Sequence, residues 1–268
     1  MRSGSEVRCR GSVMIHPTAL VHPDAELGEE VEVGPYSIIE GTVRIGDRSR
    51  IGARVNIEGY TTMGCENEVF TGAVVGSRTQ DKKFDGGVSF LKIGDRNRIR
   101  EYVTINPGTK EGTETVIGND NLLMAYAHVA HDCIVKNSTI LANQATLAGH
   151  VLVEDHAIIG GLSAVHQFVR IGKFALIGGC SKAVQDIPPF MIVDGHPAKA
   201  YGINVVGLDR AKFSKEDKAV LKKAFKIIFR SRLALKSTIL HLEQELPQGP
   251  TLQVLLEFLK LSNRGICR

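Results

Sequence analysis

The sequence predicts a mainly β chain, a left-handed parallel β-helix followed by a small α-helical domain. Three observations carry this. From Ile15 to Ile177 every sixth residue is aliphatic, with Val, Ile, Leu or Met at 25 of 28 positions. Four residues further on in each hexad the residue is small, failing only at Asp85 and Leu91. Beyond the repeat, "DIPPF" breaks the chain and apolar residues recur at helical spacing. A period of six fits neither a helix at 3.6 residues per turn nor a simple alternating strand, but it fits short strands joined by sharp corners. Three hexads close one triangular coil of about 18 residues, and successive coils stack at roughly 4.8 Å, the ordinary interstrand spacing. Left-handed winding belongs to hexapeptide coils as a class, against the usual right-handed crossover.

Taken in order, residues 1–13 hold three arginines and one acid before Met14 and read as a disordered extension. The β-helix is expected over 14–187. Its register fails at Asp81, Gly87 and Glu111, so the polar, Gly-rich stretches 76–92 and 106–116 must leave the wall as loops, where solenoids often build a binding face. Glycine follows the aliphatic position in 12 of 28 hexads, which suggests a corner needing positive φ. In the helical domain, 188–268, Ser214 and Asp217 resemble a capping box, and helices are expected after Ser214, over Leu235–Leu246 and over Thr251–Leu261. Their default role is to cover the last coil's strand edges.

Composition narrows the function. A formal charge of +4 over 268 residues does not suggest a nucleic-acid binder. The five cysteines are scattered without any C-x-x-C pair, which excludes a zinc ribbon or disulfide framework and fits a reduced, cytoplasmic protein. No apolar run approaches the roughly 18 residues that cross a bilayer, so no transmembrane segment is expected.

The register also sorts the histidines. His128, His131, His150, His156 and His166 all miss the two inward positions. Stepping one coil at a time from His131 reaches Gly149 and then Gln167, with Asp132 under His150. Such a column suits acyl transfer, with an imidazole base, a carboxylate fixing its tautomer and a backbone N–H for the oxyanion. Spacing alone leaves two other readings open: histidines binding Zn²⁺ at a coil edge, and plain solvent-exposed histidines.

The strings "IGDRNRIREYVTI", "NLLMAYAHVAHDC", "LANQATLAGHV", "IIGGLSAVHQFVRIG", "IGGCSKAVQDIPPF" and "GINVVGLDRAKFS" resemble the UDP-N-acetylglucosamine O-acyltransferases, from Met14 to near the C-terminus. The resemblance implies a homotrimer with active sites between subunits. It would move a (3R)-3-hydroxyacyl chain from acyl carrier protein to the 3-hydroxyl of UDP-N-acetylglucosamine, the first step of lipid A synthesis. No cofactor or metal is implied. By the same resemblance His131 is the general base, Asp132 its supporting carboxylate and Gly149 the oxyanion donor. Gln80, Asp81, Lys83, His128 and His150 contact or position substrate, as does His166. Gln167, Asn204 and Arg210 face the nucleotide, and Gly179 floors the acyl groove, where glycine admits a longer chain. The family commonly has a basic residue and two arginines after "GINVVGL", whereas this chain has Asp209, Arg210 and Ala211. A 3-amino UDP-sugar acceptor and a zinc β-helix hydratase are the alternatives. The pathway's later N-acyltransferase, which carries a further domain before its repeat, is disfavoured because the hexads begin at Ile15.

Overall fold

The computed structural model describes residues 13–231 and 233–268; the expected extension 1–13 lies, apart from Val13, outside them. Twenty-six short strands, from Met14–Ile15 to Lys182–Ala183, are dealt in rotation to three parallel sheets. The first strand pairs with the fourth, Ile15 beside Val33, and so on up the stack, giving the left-handed β-helix that the period of six predicts. The aliphatic and small positions both face inward: Ile39, Val75, Ala73, Ala127 and Cys133 belong to one continuous buried cluster along the axis. Cys133, desolvated there, has its thiol pushed up to about 12.

The glycines carry a correction. Positive φ falls two residues after the glycine position, on residues such as Arg48 (φ 55°), Asp132 (58°) and His150 (60°), and it is tolerated there by ordinary side chains. Of the twelve register glycines only Gly76 and Gly112, both at the loops, take positive φ (85° and 74°); the others answer a different constraint, the close approach of the next coil. A Cβ on Gly34 would lie 2.6 Å from the Gly52 carbonyl oxygen, part of a backbone that cannot step aside. Gly34→Ala should therefore cost about 1–3 kcal/mol of stability in a denaturant titration. Gly202→Ala, where a Cβ meets nothing within 4 Å, should cost far less, and equal losses would refute the stacking account.

Both expected loops are shorter than read. Phe90–Ile93 and Glu114–Ile117 rejoin the third sheet as four-residue strands, which leaves loops of 76–89 and 106–113. Stacking also continues past "DIPPF" without any hexad signal. Met191–Gly195 adds in parallel to Leu176–Ile177, then turns back as an antiparallel hairpin with Ala198–Ile203. Four helices follow: α1 (Val205–Arg210), α2 (Lys215–Arg230), α3 (Leu235–Glu245) and α4 (Pro250–Lys260). Ser214 caps α2 as its sequence suggested, accepting the Asp217 N–H at 2.9 Å. Leu221, Phe225, Leu242, Leu255 and Leu256 pack with Phe190, Met191 and Leu208 into a second core over the last coils. The tail returns to the β-helix through a bridge between Asp186 and Ile266. Among the described residues no helix is long and apolar enough to cross a membrane.

Candidate active site

His131, Gly149 and Gln167 occupy the same place on the corner between the second and third sheets in three successive coils, and the alignment is tight. A Cβ on Gly149 would lie 2.4 Å from Cε1 and Nε2 of His131, so the imidazole fills the space that a side chain on the next coil would need. His131 points away from the core yet is only 6 % exposed, because the two loops fold over it. Its outward direction was legible in the register; its burial was not.

Asp132 anchors the ring, its Oδ2 lying 2.8 Å from His131 Nδ1. That leaves Nε2 facing the cleft, 3.5 Å from Asp81 Oδ2 on the first loop. The second loop holds the carboxylate from its far side, with Thr109 N–H donating to the same Oδ2 at 3.2 Å. His150, one coil above Asp132, brings Nε2 to 3.7 Å from it and meets His131 edge to face at 5.2 Å. Burial pushes the Asp132 carboxyl upward, but His131, Thr113 and His150 together hold it below its ordinary range. Burial lowers the His150 imidazole despite the nearby Asp132 carboxylate.

The Gly149 N–H has no hydrogen-bond partner among the described residues. The fold can satisfy such corner amides. On the corner between the third and first sheets, Asp47 accepts from Glu29 N–H, Asp95 from Cys65, Asn119 from Asp95, Asn137 from Asn119 and Asp155 from Asn137. Above Gly149 stands Gln167, whose side chain accepts no such bond, so a donor without a shielding Cβ is left open beside the imidazole. A cleft of about 530 Å³ opens there, lined by Asp81, Lys83, Thr109, Lys110, Thr113, His131, Asp132, His150, Gln167 and Phe168. The Asp132 carboxylate and the His131 imidazole line this space and the unpartnered Gly149 amide lies against the ring, an arrangement compatible with acyl transfer.

Residues 186–267 match the profile of Udp N-acetylglucosamine O-acyltransferase, domain 2, and 24–59 and 114–149 match bacterial transferase hexapeptide repeats. An acyl-[acyl-carrier-protein]–UDP-N-acetylglucosamine O-acyltransferase of Thermodesulfovibrio yellowstonii is 51% identical over 255 residues, 95% of this chain and 99% of the relative. This chain belongs to the UDP-N-acetylglucosamine O-acyltransferase family. A Saccharophagus degradans protein of the same name is 49% identical over the same shares. The crystal structure of a Bacteroides fragilis UDP-N-acetylglucosamine acyltransferase superposes with a TM-score of 0.93 at 42% identity, over 95% of this chain and 100% of that one.

Within this O-acyltransferase the cleft gathers Asp81, Lys83, His131, Asp132, His150 and Gln167 of the expected residues, with Gly149 against the His131 ring. The other expected residues lie apart. His128 sits on the outer face of the second sheet, its Nδ1 2.7 Å from the Thr104 hydroxyl, with its imidazole lowered by burial and then by His131. His166 is on the rim beside Gln167, and Gln80 is exposed on the first loop. Asn204 is 2 % exposed, caps α1 by accepting the Gly207 N–H at 3.0 Å, and donates to the Phe174 carbonyl, so its side chain is engaged within its own chain. Arg210 ends α1, away from this cleft.

Gly178 and Gly179 separate clearly. A Cβ on Gly178 would meet Asp194 Oδ1 at 2.5 Å, whereas one on Gly179 meets only the Gly161 carbonyl oxygen at 3.4 Å. Coil packing explains the first and leaves the second open. Sequence reasoning missed Thr109, Lys110, Thr113 and Phe168. Phe168 was within reach, since one more step of the column from Asp132 and His150 arrives at it, and its ring stacks on His150 at 4.7 Å.

Proposed function

We propose that this chain transfers a (3R)-3-hydroxyacyl group from acyl carrier protein to the 3-hydroxyl of UDP-N-acetylglucosamine, the first step of lipid A biosynthesis. It does so as a cytoplasmic homotrimer with active sites between subunits. The observation that carries the reading is the stack of Asp132, His131 and the unpartnered Gly149 amide. His131 Nε2 takes the proton of the sugar hydroxyl as its oxygen attacks the thioester carbonyl, and Asp132 holds the imidazolium that forms. The carbonyl oxygen becomes an oxyanion facing the Gly149 N–H. Collapse then breaks the C–S bond, and the imidazolium proton passes to the departing thiolate, giving an ester and a free carrier thiol. Transfer is direct: among the described residues no serine or cysteine lines the cleft, and the Thr113 hydroxyl is held by the Lys110 carbonyl at 2.9 Å.

Lys83 and Asp81 meet the acceptor from the first loop, and His150 and Gln167 from the corner above. His128, His166, Gln80 and Arg210 extend these contacts toward the rest of the two substrates. Gly179 limits the acyl chain by leaving its corner empty. Gly179→Met should then shift the preferred donor to a chain several carbons shorter; an unchanged profile across a ladder of acyl carrier protein thioesters removes Gly179 from the groove.

The deciding experiment measures transfer from that ladder to UDP-N-acetylglucosamine and to its 3-amino analogue. Ester formation with the hydroxyl acceptor is expected, unaffected by chelators. His131, Asp132 and His150 do offer three ligand atoms within 4.8 Å of one another, so chelation has a specific target to report on. Loss of transfer on chelation, or transfer to the amine alone, overturns the reading.

A further inference from the structure

We propose that Arg264, carried on the C-terminal tail, joins His166 to form a binding site for a phosphate group of a substrate, an inference that rests on the acyl-transfer reading above. The tail is tied to the top of the β-helix. Asp186 N–H donates to the Gly265 carbonyl and Cys267 N–H to the Asp186 carbonyl, both at 3.0 Å. The Asp186 side chain, 1 % exposed, accepts from Ser262 Oγ at 2.7 Å and from Arg170 N–H at 2.9 Å. Gly265 turns at φ 70°, a conformation that disfavours other residues, and so separates outward Arg264 from buried Ile266 and Cys267.

These ties hold the Arg264 guanidinium with Nη2 3.4 Å from His166 Nδ1, across 98 residues of sequence. No carboxylate lies within ion-pair distance of Arg264 among the described residues, whereas the corner arginines Arg48 and Arg96 pair with Glu66 and Asp120. The same Nδ1 lies 3.1 Å from the Gln167 carbonyl oxygen, which can only accept, so a ring proton on Nδ1 is directed there. The guanidinium N–H groups then stand beside the imidazole with no acceptor for Arg264 among the described residues, donor edges open to an anion. His166 also adjoins Gln167, which lines the catalytic cleft one coil above Gly149. A planar cation with open donor edges, at the rim of a cleft that must receive anionic substrates, suits the oxygens of a phosphate. Two sources share that chemistry: the acceptor's diphosphate and the phosphodiester of the carrier's pantetheine arm.

Steady-state kinetics of Arg264→Ala, Arg264→Gln and Arg264→Lys, varying each substrate in turn, test the site. We expect KM for one substrate to rise about tenfold with kcat within twofold of wild type, and Arg264→Lys to recover part of the loss. The substrate whose KM rises is the source of the phosphate. Melting curves matching wild type show that the tail remains docked, and Arg264→Gln preserves most of the side-chain stem if Arg264→Ala loosens it. If wild type turns over and both KM values stay within twofold in Arg264→Ala and Arg264→Gln, the site is refuted. If wild type shows no transfer, the acyl-transfer reading fails instead, and calorimetric titration with inorganic pyrophosphate decides the site alone: weaker binding in Arg264→Ala supports it, equal binding overturns it.

Discussion

His131→Ala should lower kcat by about 10³-fold, within the range attributable to a positioned general base, while the protein stays folded. The side chain lies outside the axial cluster of buried residues, so its loss opens no cavity among the stacked aliphatics. Asp132 would keep the Thr109 N–H and the nearby His150, which spares it an unpaired burial. The melting temperature should therefore move by no more than about 4 °C, the shift that roughly 1 kcal/mol produces in a chain of this size. Wild-type kcat in this variant would require a different base. A collapse of folding would instead mean that the imbalance created at Asp132 outweighs these contacts.

Gly149→Ala should reduce kcat by about 10²-fold, the order seen when one oxyanion donor is lost. The cause here is geometric. The new methyl would lie 2.4 Å from two atoms of the His131 ring, so either the imidazole swings off Asp132 or the coil lifts. Both outcomes separate the base from the amide beside it. The loss should appear in kcat more than in KM, because Asp81, Lys83 and Gln167, the proposed substrate contacts, remain in place. Gly202→Ala is the internal control, since the same methyl meets nothing within 4 Å there. Equal rates for Gly149→Ala and wild type would show that neither the amide nor the ring's position matters.

The hexad register made the β-helix legible because each wall position must be filled by a large or a small inward side chain, and that requirement repeats without interruption from Ile15 to Val75 and from Ile117 to Ile177. The same counting placed Asp132, His131, Gly149 and Gln167 together, since a step of one coil in sequence is a step of one strand spacing in space. It lost its meaning within 76–89 and 106–113, where inserted residues have no fixed height on the stack. Thr109, Lys110 and Thr113 were consequently invisible, and Asp81 and Lys83 were reachable only by resemblance. The hairpin Met191–Gly195 with Ala198–Ile203 carries no hexad, and the six residues of α1 are too few to show a helical period. Burial of Asn204 beneath that helix followed from neither pattern.

The contrast between the corners has a consequence for design. Because every coil repeats the same backbone, each turn of the prism exposes an equivalent amide, and the corner with its Asp and Asn acceptors shows how a single side chain one level away silences it. On the proposed reading, reactivity is an address on the solenoid, written by three residue choices: a carboxylate, an imidazole beside it, and a glycine directly overhead. Transplanting that triplet to another level of the same edge, with the loops moved to match, would relocate the chemistry without redesigning the scaffold.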